Sequence, residues 1–335
     1  MSAIRLCKKC GFILGTIPGF MEEDGVCGAC LNSERKKNID FEERQKWLNS
    51  FIKENKTHSK YDCAVAVSGG KDSHAIVSRL VKIYKVTPLL ISVTDEFSHT
   101  KAGEFNLDNL CRRFNLDLLK VRIAPEDFIK NSRNGFFNKL DPLGYIEGKL
   151  YEAPIEIAQK LGVKIIFFGE NSSFEYGYST ELDIFEEHSN ENVSVLYMGA
   201  IFPYSISDSL SLAREGGFRD TEYFSEWYRQ GCVENYTQID SVGYMVHIYL
   251  KFIKFGFQRV TDIATRFVRE GELSRDQAML LIKERDYICD PYSKKDFCSV
   301  LEISDNEFNS TIDKFANKDI LVKDINGNWR RKDLI

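Results

Sequence analysis

The chain has 335 residues, of which 43% are hydrophobic and 28% charged, the balance of an ordinary folded protein. This length exceeds one usual domain, so we expect two or three structural units. The net charge of −5 disfavours a dedicated nucleic-acid-binding protein, although it is compatible with a local basic patch. No apolar run approaches the roughly 20 residues of a membrane helix, and no signal peptide is evident, so we expect a cytoplasmic protein.

Four of the nine cysteines form two Cys-x-x-Cys pairs near the start of the chain, namely Cys7, Cys10, Cys27 and Cys30. In a cytoplasmic chain this spacing predicts a tetrahedral zinc site, with an iron–sulfur centre or a redox pair as alternatives. Four thiolates leave no open coordination position, so we expect structural Zn²⁺ without a catalytic role. The predicted zinc module covers residues 1–32.

Residues 33–60 have a helical apolar spacing and are interpreted as a connecting helix. From residue 61 onward, buried strands alternate with helices, which predicts an α/β domain over residues 61–200. Because the strands are continuous apolar runs, we expect a doubly wound parallel sheet covered on both faces. The predicted strands are 62–67, 88–93, 118–123 and 163–168, and the predicted helices are 72–84, 101–114 and a long helix that ends near Leu161.

Residues 201–335 are predicted to be mostly helical and to complete the substrate site. A helix is expected over residues 242–257, and Ser274 with Gln277 forms a capping-box pattern before the next helix. The final stretch resembles a helix–helix–hairpin unit that turns at Asn326–Gly327. This order of elements resembles a winged helix, but the balanced charge of the segment disfavours a DNA-binding role.

The most specific local pattern is the sequence SGGKDS at Ser68–Ser73, hereafter the SGGKDS loop, which lies between the first predicted strand and its helix. A glycine-rich turn at this position directs backbone N–H groups and the positive end of a helix toward phosphates. It is not a Walker A loop, because Val65 and Asp72 stand where that pattern requires glycine and a hydroxyl residue. It is not a dinucleotide-binding G-x-G-x-x-G turn either.

SGGKDS after a buried strand resembles the PP-loop ATP pyrophosphatases. The resemblance implies that a substrate oxygen attacks the α-phosphate of ATP and that pyrophosphate leaves. Ser68, Gly69, Gly70 and Ser73 would hold pyrophosphate, Lys71 would neutralise its charge, and Asp72 would contact Mg²⁺. By their position at the end of the second predicted strand, Ser92, Val93 and Thr94 are expected to line the adenosine pocket. Gly169, after the fourth predicted strand, is also expected to contribute to ATP binding.

Two further segments narrow the resemblance, namely residues 169–177 after the fourth predicted strand and residues 249–262. With the four cysteines and SGGKDS, they make the chain similar to the N-acetyl sugar amidotransferases of bacterial surface-glycan biosynthesis. The resemblance covers nearly the whole chain. One departure is Gln258, which stands where members of that family often have glycine.

This resemblance implies conversion of a sugar acetamido group to an acetamidino group, in lipopolysaccharide O-antigen, nonulosonic acid or flagellin-glycan biosynthesis. Glu170 or Glu175 would orient the amide or stabilise the cationic amidine, with helix capping as the alternative interpretation. Five further residues are weaker candidates for contacts with substrate or phosphate: Asn171, Tyr176, Lys251, Lys254 and Arg259. For the three basic residues, an ordinary solvated helix face is an equal alternative.

The amidine nitrogen would have to come from ammonia, which a glutaminase can supply. Met1 is followed by Ser2, and Cys232 lies in a Gly-Cys-Val context, so neither type of glutaminase nucleophile is evident. The resemblance therefore implies a separate glutaminase partner, with a barrel-type subunit that channels ammonia.

Two other functions compete with this interpretation. A PP-loop tRNA thiolase also joins a cysteine zinc module to such a loop, but it usually needs catalytic cysteines, and Cys63, Cys111 and Cys232 are isolated here. A non-enzymatic binding protein with a vestigial loop is the second alternative, which the intact SGGKDS disfavours.

Overall fold

The computed structural model describes residues 4–335. Its amino-terminal part contains four short strands and two helices, with one 3-10 turn at Lys36–Asn38 between the helices. The elements are β1 (Arg5–Leu6), β2 (Ile13–Leu14), β3 (Glu22–Glu23), β4 (Val26–Cys27), α1 (Gly28–Arg35) and α2 (Phe41–Glu54). β1 pairs with β2 and β3 with β4, both antiparallel. Helix α1 starts inside the second Cys-x-x-Cys pair and continues past residue 32, where the predicted zinc module ends.

The central sheet has five strands rather than the four predicted. They are β5 (Cys63–Ala66), β6 (Pro88–Thr94), β7 (Leu118–Arg122), β8 (Ile165–Phe168) and β9 (Ser194–Tyr197). Their order is β7-β6-β5-β8-β9 and every neighbouring pair is parallel. The sequence analysis missed β9, which follows the polar stretch 186–192. The strand order reverses at β5, so the carboxyl end of this strand is the usual ligand site of an open α/β sheet.

Seven helices follow the strands of the sheet. They are α3 (Lys71–Lys82), α4 (Lys101–Phe114), α5 (Pro125–Lys139), α6 (Gly144–Lys160), α7 (Ser172–Glu175), α8 (Met198–Ile201) and α9 (Ile206–Glu215). The long helix predicted to end near Leu161 is confirmed as α6, and α5 is a separate helix that the sequence analysis did not describe. The break lies at Leu140, which has a left-handed φ of 49°, and Pro142 follows shortly after.

Alternate residues of the central strand face two different hydrophobic clusters. Cys63 and Val65 pack in one cluster with Leu80 of α3, whereas Ala64 packs in another with Ile155 of α6. Successive side chains of a strand point to opposite faces, so both faces of the sheet are covered. The predicted α/β fold with a doubly wound parallel sheet is confirmed.

The carboxyl-terminal region is a helical unit with a terminal hairpin, joined to α9 by the irregular segment 216–243. Its elements are α10 (Tyr244–Phe255), α11 (Arg259–Glu270), α12 (Arg275–Arg285), α13 (Pro291–Val300), α14 (Asp305–Phe315), β10 (Leu321–Lys323) and β11 (Trp329–Arg331), with a final 3-10 turn at Lys332–Leu334. The predicted capping box of Ser274 and Gln277 is present, and it starts α12 at Arg275. None of the helices in residues 4–335 is long and apolar enough to span a bilayer.

Candidate active site

The four predicted zinc ligands come together. Their sulfur atoms all lie within 4.8 Å of one another, with Cys7 Sγ 3.9 Å from Cys30 Sγ and Cys10 Sγ 3.7 Å from Cys27 Sγ. A tetrahedral zinc ion with Zn–S bonds of about 2.3 Å places its sulfurs ~3.8 Å apart. All four side chains are buried. The cluster therefore fits Zn²⁺ with a closed coordination shell.

The zinc module contacts the segment that follows β8. Asn32 on α1 donates hydrogen bonds of 2.7 Å to the carbonyl oxygens of Phe174 and Ser179. Lys36 forms an ion pair with Glu175, and Gly28 packs so closely on Gly177 that an added Cβ would lie 2.5 Å from its carbonyl oxygen. The module thus anchors the segment that carries several candidate substrate residues.

The SGGKDS loop connects β5 to α3. Gly69 has a φ of +87°, and a Cβ on it would lie 2.8 Å from the backbone nitrogen of Leu107, so this position requires glycine. Ser73 Oγ accepts a hydrogen bond of 3.2 Å from the backbone N–H of Ser68, which holds the turn closed. The first N–H groups of a helix have no partner within the helix, so α3 presents free donors at this turn. The local geometry is that of a phosphate cradle.

Lys71 is only 2% exposed, although it carries a charge. Its Nζ donates to both carboxylate oxygens of Asp72, at 2.7 and 2.8 Å, and to the Tyr204 hydroxyl at 3.0 Å. These bonds hold the ammonium group beside the loop. Tyr204 was not predicted, because it follows Phe202 and Pro203 outside any recognisable motif.

The loop opens into a cavity of about 140 Å³. The opposite side is formed by residues far away in sequence, and we call it the opposite wall: Glu170, Tyr176, Tyr204, Arg259, Asp262 and Arg266. The segment 236–240 closes a third side. The cavity thus joins the α/β domain to the helical unit.

Arg266 is the main residue that the sequence interpretation missed. It is 5% exposed, and its Nη1 donates a 2.9 Å hydrogen bond to Glu170 Oε2. Although burial opposes its charge, the carboxylate of Glu170 and the nearby tyrosines raise the pKa of this guanidinium well above its ordinary value. Arg259, Asp262 and Arg266 share one helix face, because three- and four-residue steps align along a helix. That spacing was the available signal.

Helix α11 is positioned by a carboxylate from another part of the chain. Asp286 Oδ1 accepts hydrogen bonds from the backbone N–H groups of Gln258, at 3.1 Å, and Thr261, at 3.0 Å. These two donors lie at the start of α11, so Asp286 acts as its N-terminal cap. The Gln258 side chain donates to the carbonyls of Asp286 and Ile288, both at 2.9 Å. Gln258 is therefore a structural residue that joins α11 to the segment after α12.

Several predicted candidates do not line the cavity. Glu175 was expected to act on the substrate amide, but it is buried in its ion pair with Lys36 at the zinc module. Asn171 caps the short helix α7 by accepting a 3.1 Å hydrogen bond from the Phe174 N–H. Lys251 forms an ion pair of 2.9 Å with Asp262, and Lys254 is half-buried near Asp141 and Glu147. The structure thus places these four side chains outside the lining of the main cavity, because helix faces and caps direct them elsewhere.

The three predicted adenosine residues divide between two cavities beside the loop. Val93 lines an apolar cavity of about 240 Å³, together with Tyr151, Phe168 and Gly169. Ser92 and Thr94 line a different, acidic cavity of about 100 Å³, which Val93 also borders. A flat apolar base prefers the first environment.

The C-terminal third of the sequence matches a known family. Residues 222–333 match the family described as LPS biosynthesis protein WbpG-like, C-terminal domain. The chain is also similar to the uncharacterised protein MJ1599 of Methanocaldococcus jannaschii, with 21% identity over 254 residues that cover 76% of this chain and 83% of that protein.

Three solved structures are similar at low identity. NMN synthetase from Francisella tularensis has a TM-score of 0.39 at 12% identity and covers 70% of this chain and 94% of its own. NH3-dependent NAD synthetase from Campylobacter jejuni has a TM-score of 0.38 at 15% identity, with 70% and 95% covered. The U34-tRNA thiolase NcsA from Methanococcus maripaludis has a TM-score of 0.38 at 14% identity, with 90% and 96% covered.

The parallel sheet and the loop after its central strand agree with the fold that SGGKDS predicted. The sheet has five strands in the order β7-β6-β5-β8-β9, and SGGKDS follows β5. The chain also has a four-cysteine cluster, and residues 222–333 match the WbpG-like C-terminal domain. The resemblance to surface-glycan enzymes is confirmed at the level of that domain.

Proposed function

We propose that this protein is an ATP-dependent amidotransferase that converts a sugar acetamido group to an acetamidino group in bacterial surface-glycan biosynthesis. The observation that carries the proposal is the shared cavity. Its one side is the SGGKDS loop, and its other side includes α11 of the WbpG-like domain. A site of this composition suits an enzyme that activates a glycan substrate with ATP.

The proposed chemistry has two steps. In the first, the acetamido oxygen attacks the α-phosphorus of ATP, the bond to the β-phosphate breaks, and pyrophosphate leaves. In the second, ammonia attacks the imidate carbon, AMP leaves, and one proton is released to give the amidine. Adenylation is needed because an amide has no good leaving group. The sugar is free or nucleotide-linked.

The residues of the loop have distinct proposed roles. Backbone N–H groups and the hydroxyls of Ser68 and Ser73 bind the leaving pyrophosphate, and Lys71 neutralises its charge. Asp72 fits Mg²⁺ as a carboxylate ligand, provided that Lys71 transfers its hydrogen bonds from Asp72 to phosphate. The ion would help to neutralise the charge of the pyrophosphate. The apolar cavity beside Val93, Tyr151 and Phe168 would receive adenine.

On the opposite wall, Glu170 and Tyr176 are the proposed contacts of the substrate amide. A carboxylate at this position orients the amide N–H and stabilises the positive charge that develops on the amidine. Glu170 takes this role in preference to Glu175, because it lines the cavity and Glu175 is engaged by Lys36.

Ammonia is proposed to come from a separate glutaminase, with a barrel-type subunit that channels it, in the cytoplasm. Among residues 4–335, no cysteine lines the main cavity. Burial raises the pKa of the Cys232 and Cys111 thiols, which disfavours nucleophilic thiolates at these positions. The same observation weakens the tRNA thiolase alternative.

The test is a reaction of the pure protein with Mg-ATP, ¹⁵N-ammonium and a panel of acetamido sugars, free and nucleotide-linked. We expect AMP and pyrophosphate by phosphorus NMR and ¹⁵N in a sugar product by mass spectrometry. Lys71→Met should abolish both, whereas Lys82→Met, at the exposed end of the same helix, should not. ADP with phosphate would contradict the proposal. AMP release only with tRNA and a sulfur donor would favour the thiolase.

A further inference from the structure

The opposite wall contains a buried cation, the guanidinium of Arg266, that still has a free hydrogen-bond donor among residues 4–335. Arg266 lines the cavity, and one of its terminal nitrogens donates to Glu170. The other, Nη2, is buried and has no hydrogen-bond partner among residues 4–335. A buried charged donor without a partner is unfavourable, so such a group usually awaits a ligand or has another function.

Two aromatic rings flank the Arg266 guanidinium. Its central carbon lies 5.2 Å from the ring centroid of Tyr176 and 4.9 Å from that of Tyr204. Contacts of this kind orient the plane of a guanidinium. Together with the Glu170 hydrogen bond, they hold Arg266 in place before any ligand binds.

The same Tyr204 ring also contacts Lys71 of the SGGKDS loop. The Lys71 Nζ lies 5.3 Å from the ring centroid and donates to the hydroxyl. Lys71 and Arg266, which belong to different domains, therefore contact the same tyrosine ring. The distance between Lys71 Nζ and the central carbon of Arg266 cannot exceed the sum of their distances to the ring centroid. An anion that is held by the loop and Lys71 lies within reach of Arg266.

We propose that Arg266 is a polyphosphate-binding residue, contributed to the ATP site by the WbpG-like domain. It would bind oxygens of the ATP phosphates and of the pyrophosphate that leaves. Arginine suits this task because its planar fork binds two oxyanion oxygens at once. ATP binding would then require both domains. The inference rests on the proposed use of ATP, but not on the identity of the sugar.

Arg266 could instead bind the oxygens of an anionic group on the sugar. Binding measurements with phosphate ligands alone distinguish this alternative from the polyphosphate role. Calorimetric titrations with Mg²⁺ and α,β-methylene-ATP, and with Mg²⁺ and pyrophosphate, need neither sugar nor ammonium. For Arg266→Gln we expect an affinity on the order of 10- to 100-fold lower for both ligands. AMP affinity should stay near that of the wild type. Arg269→Gln, on the same helix but outside the cavity lining, should bind all ligands normally.

Unchanged affinity of Arg266→Gln for both polyphosphates would overturn the proposal, and a raised KM for the sugar alone would assign the arginine to the substrate. Because Arg266 is buried, circular dichroism and zinc content should establish that the variant folds. If Arg266→Gln does not fold, Arg266→Lys replaces it as the test. Lysine lacks the planar two-pronged guanidinium, so we expect about tenfold weaker polyphosphate binding, and wild-type affinity would contradict a phosphate role. If the wild type binds neither ligand, the proposed function itself fails, which is a separate result.

Discussion

The two sides of the cavity are built in opposite ways. The SGGKDS loop is six consecutive residues whose conformation depends on one left-handed glycine and on the start of α3. The opposite wall instead draws Glu170, Tyr204 and Arg266 from separate parts of the chain, and its parts are held by the zinc module and by Asp286. We infer that the loop is sensitive to local substitutions, whereas the wall is sensitive to changes at a distance.

Removal of zinc should produce the largest effect on the wall. A structural zinc site contributes roughly 10–16 kcal/mol of apparent binding free energy, so Cys30→Ser or chelation should unfold the module. Because Asn32 and Lys36 anchor the segment 171–179, hydrogen exchange should increase there as well as in residues 4–35. The amides of β5 and of the body of α3 should stay protected. A folded protein without stoichiometric zinc would contradict this prediction.

Lys71→Met should produce the largest effect on the loop side. Loss of a preorganised charged donor typically lowers the rate by about 100- to 1,000-fold, so we expect this reduction in AMP formation. Because Lys71 is buried and hydrogen-bonded to Asp72 and Tyr204, the free energy of unfolding should also fall, and the rates are compared for folded protein. Initial rates by phosphorus NMR, with Lys82→Met as the matched control, test the prediction. Equal rates for the two variants would exclude Lys71 from the chemistry.

Two adjacent glycines of the loop provide a sharper comparison. Gly69→Ala introduces a Cβ at a φ of +87° and 2.8 Å from the Leu107 nitrogen, so we expect destabilisation of about 1–3 kcal/mol. Gly70 has a φ of −65°, and its nearest neighbour would be Ser68 Oγ at 3.3 Å. Gly70→Ala should therefore be clearly milder. Urea denaturation measures both, and equal losses would show that the loop relaxes freely.

The last prediction concerns pH and the cap of α11. Burial raises the pKa of Asp286 to about 6, against the opposing hydrogen bonds of Thr261 and the charge of Arg331. The folded protein then binds a proton more tightly than the unfolded chain. The contribution of protonated Asp286 to the free energy of unfolding is fully present below pH ~4 and is lost as the pH rises through about 6. The free energy of unfolding falls by at most about 1.4 kcal/mol per pH unit in this range.

Asp286→Asn should remove this one contribution to the pH dependence. The comparison is between the slopes of unfolding free energy against pH for the two proteins, since the absolute stability also changes with the cap. Parallel slopes between pH 4 and 6 would mean that Asp286 does not titrate in this range.

Most of the fold was predictable because its signals are local. The first four sheet strands, the helices after the first two of them, the four cysteines and the Ser274 capping box all follow from neighbouring residues. The omissions lie where local signals are weak. β9 follows the polar stretch 186–192, and α5 precedes the long helix that the sequence did predict.

The conformation of the SGGKDS loop and the cysteine cluster follow from the sequence alone, because each depends on close spacing and on the special backbone of glycine or the chemistry of cysteine. Which charged side chains face the cavity depends on the tertiary structure. It pairs Glu175 with Lys36, keeps Lys251 out of the cavity lining, and brings Arg266 to the Tyr204 ring that Lys71 also contacts. The physical reason is that helix packing and remote caps set the direction of a side chain, and no spacing within one segment specifies them.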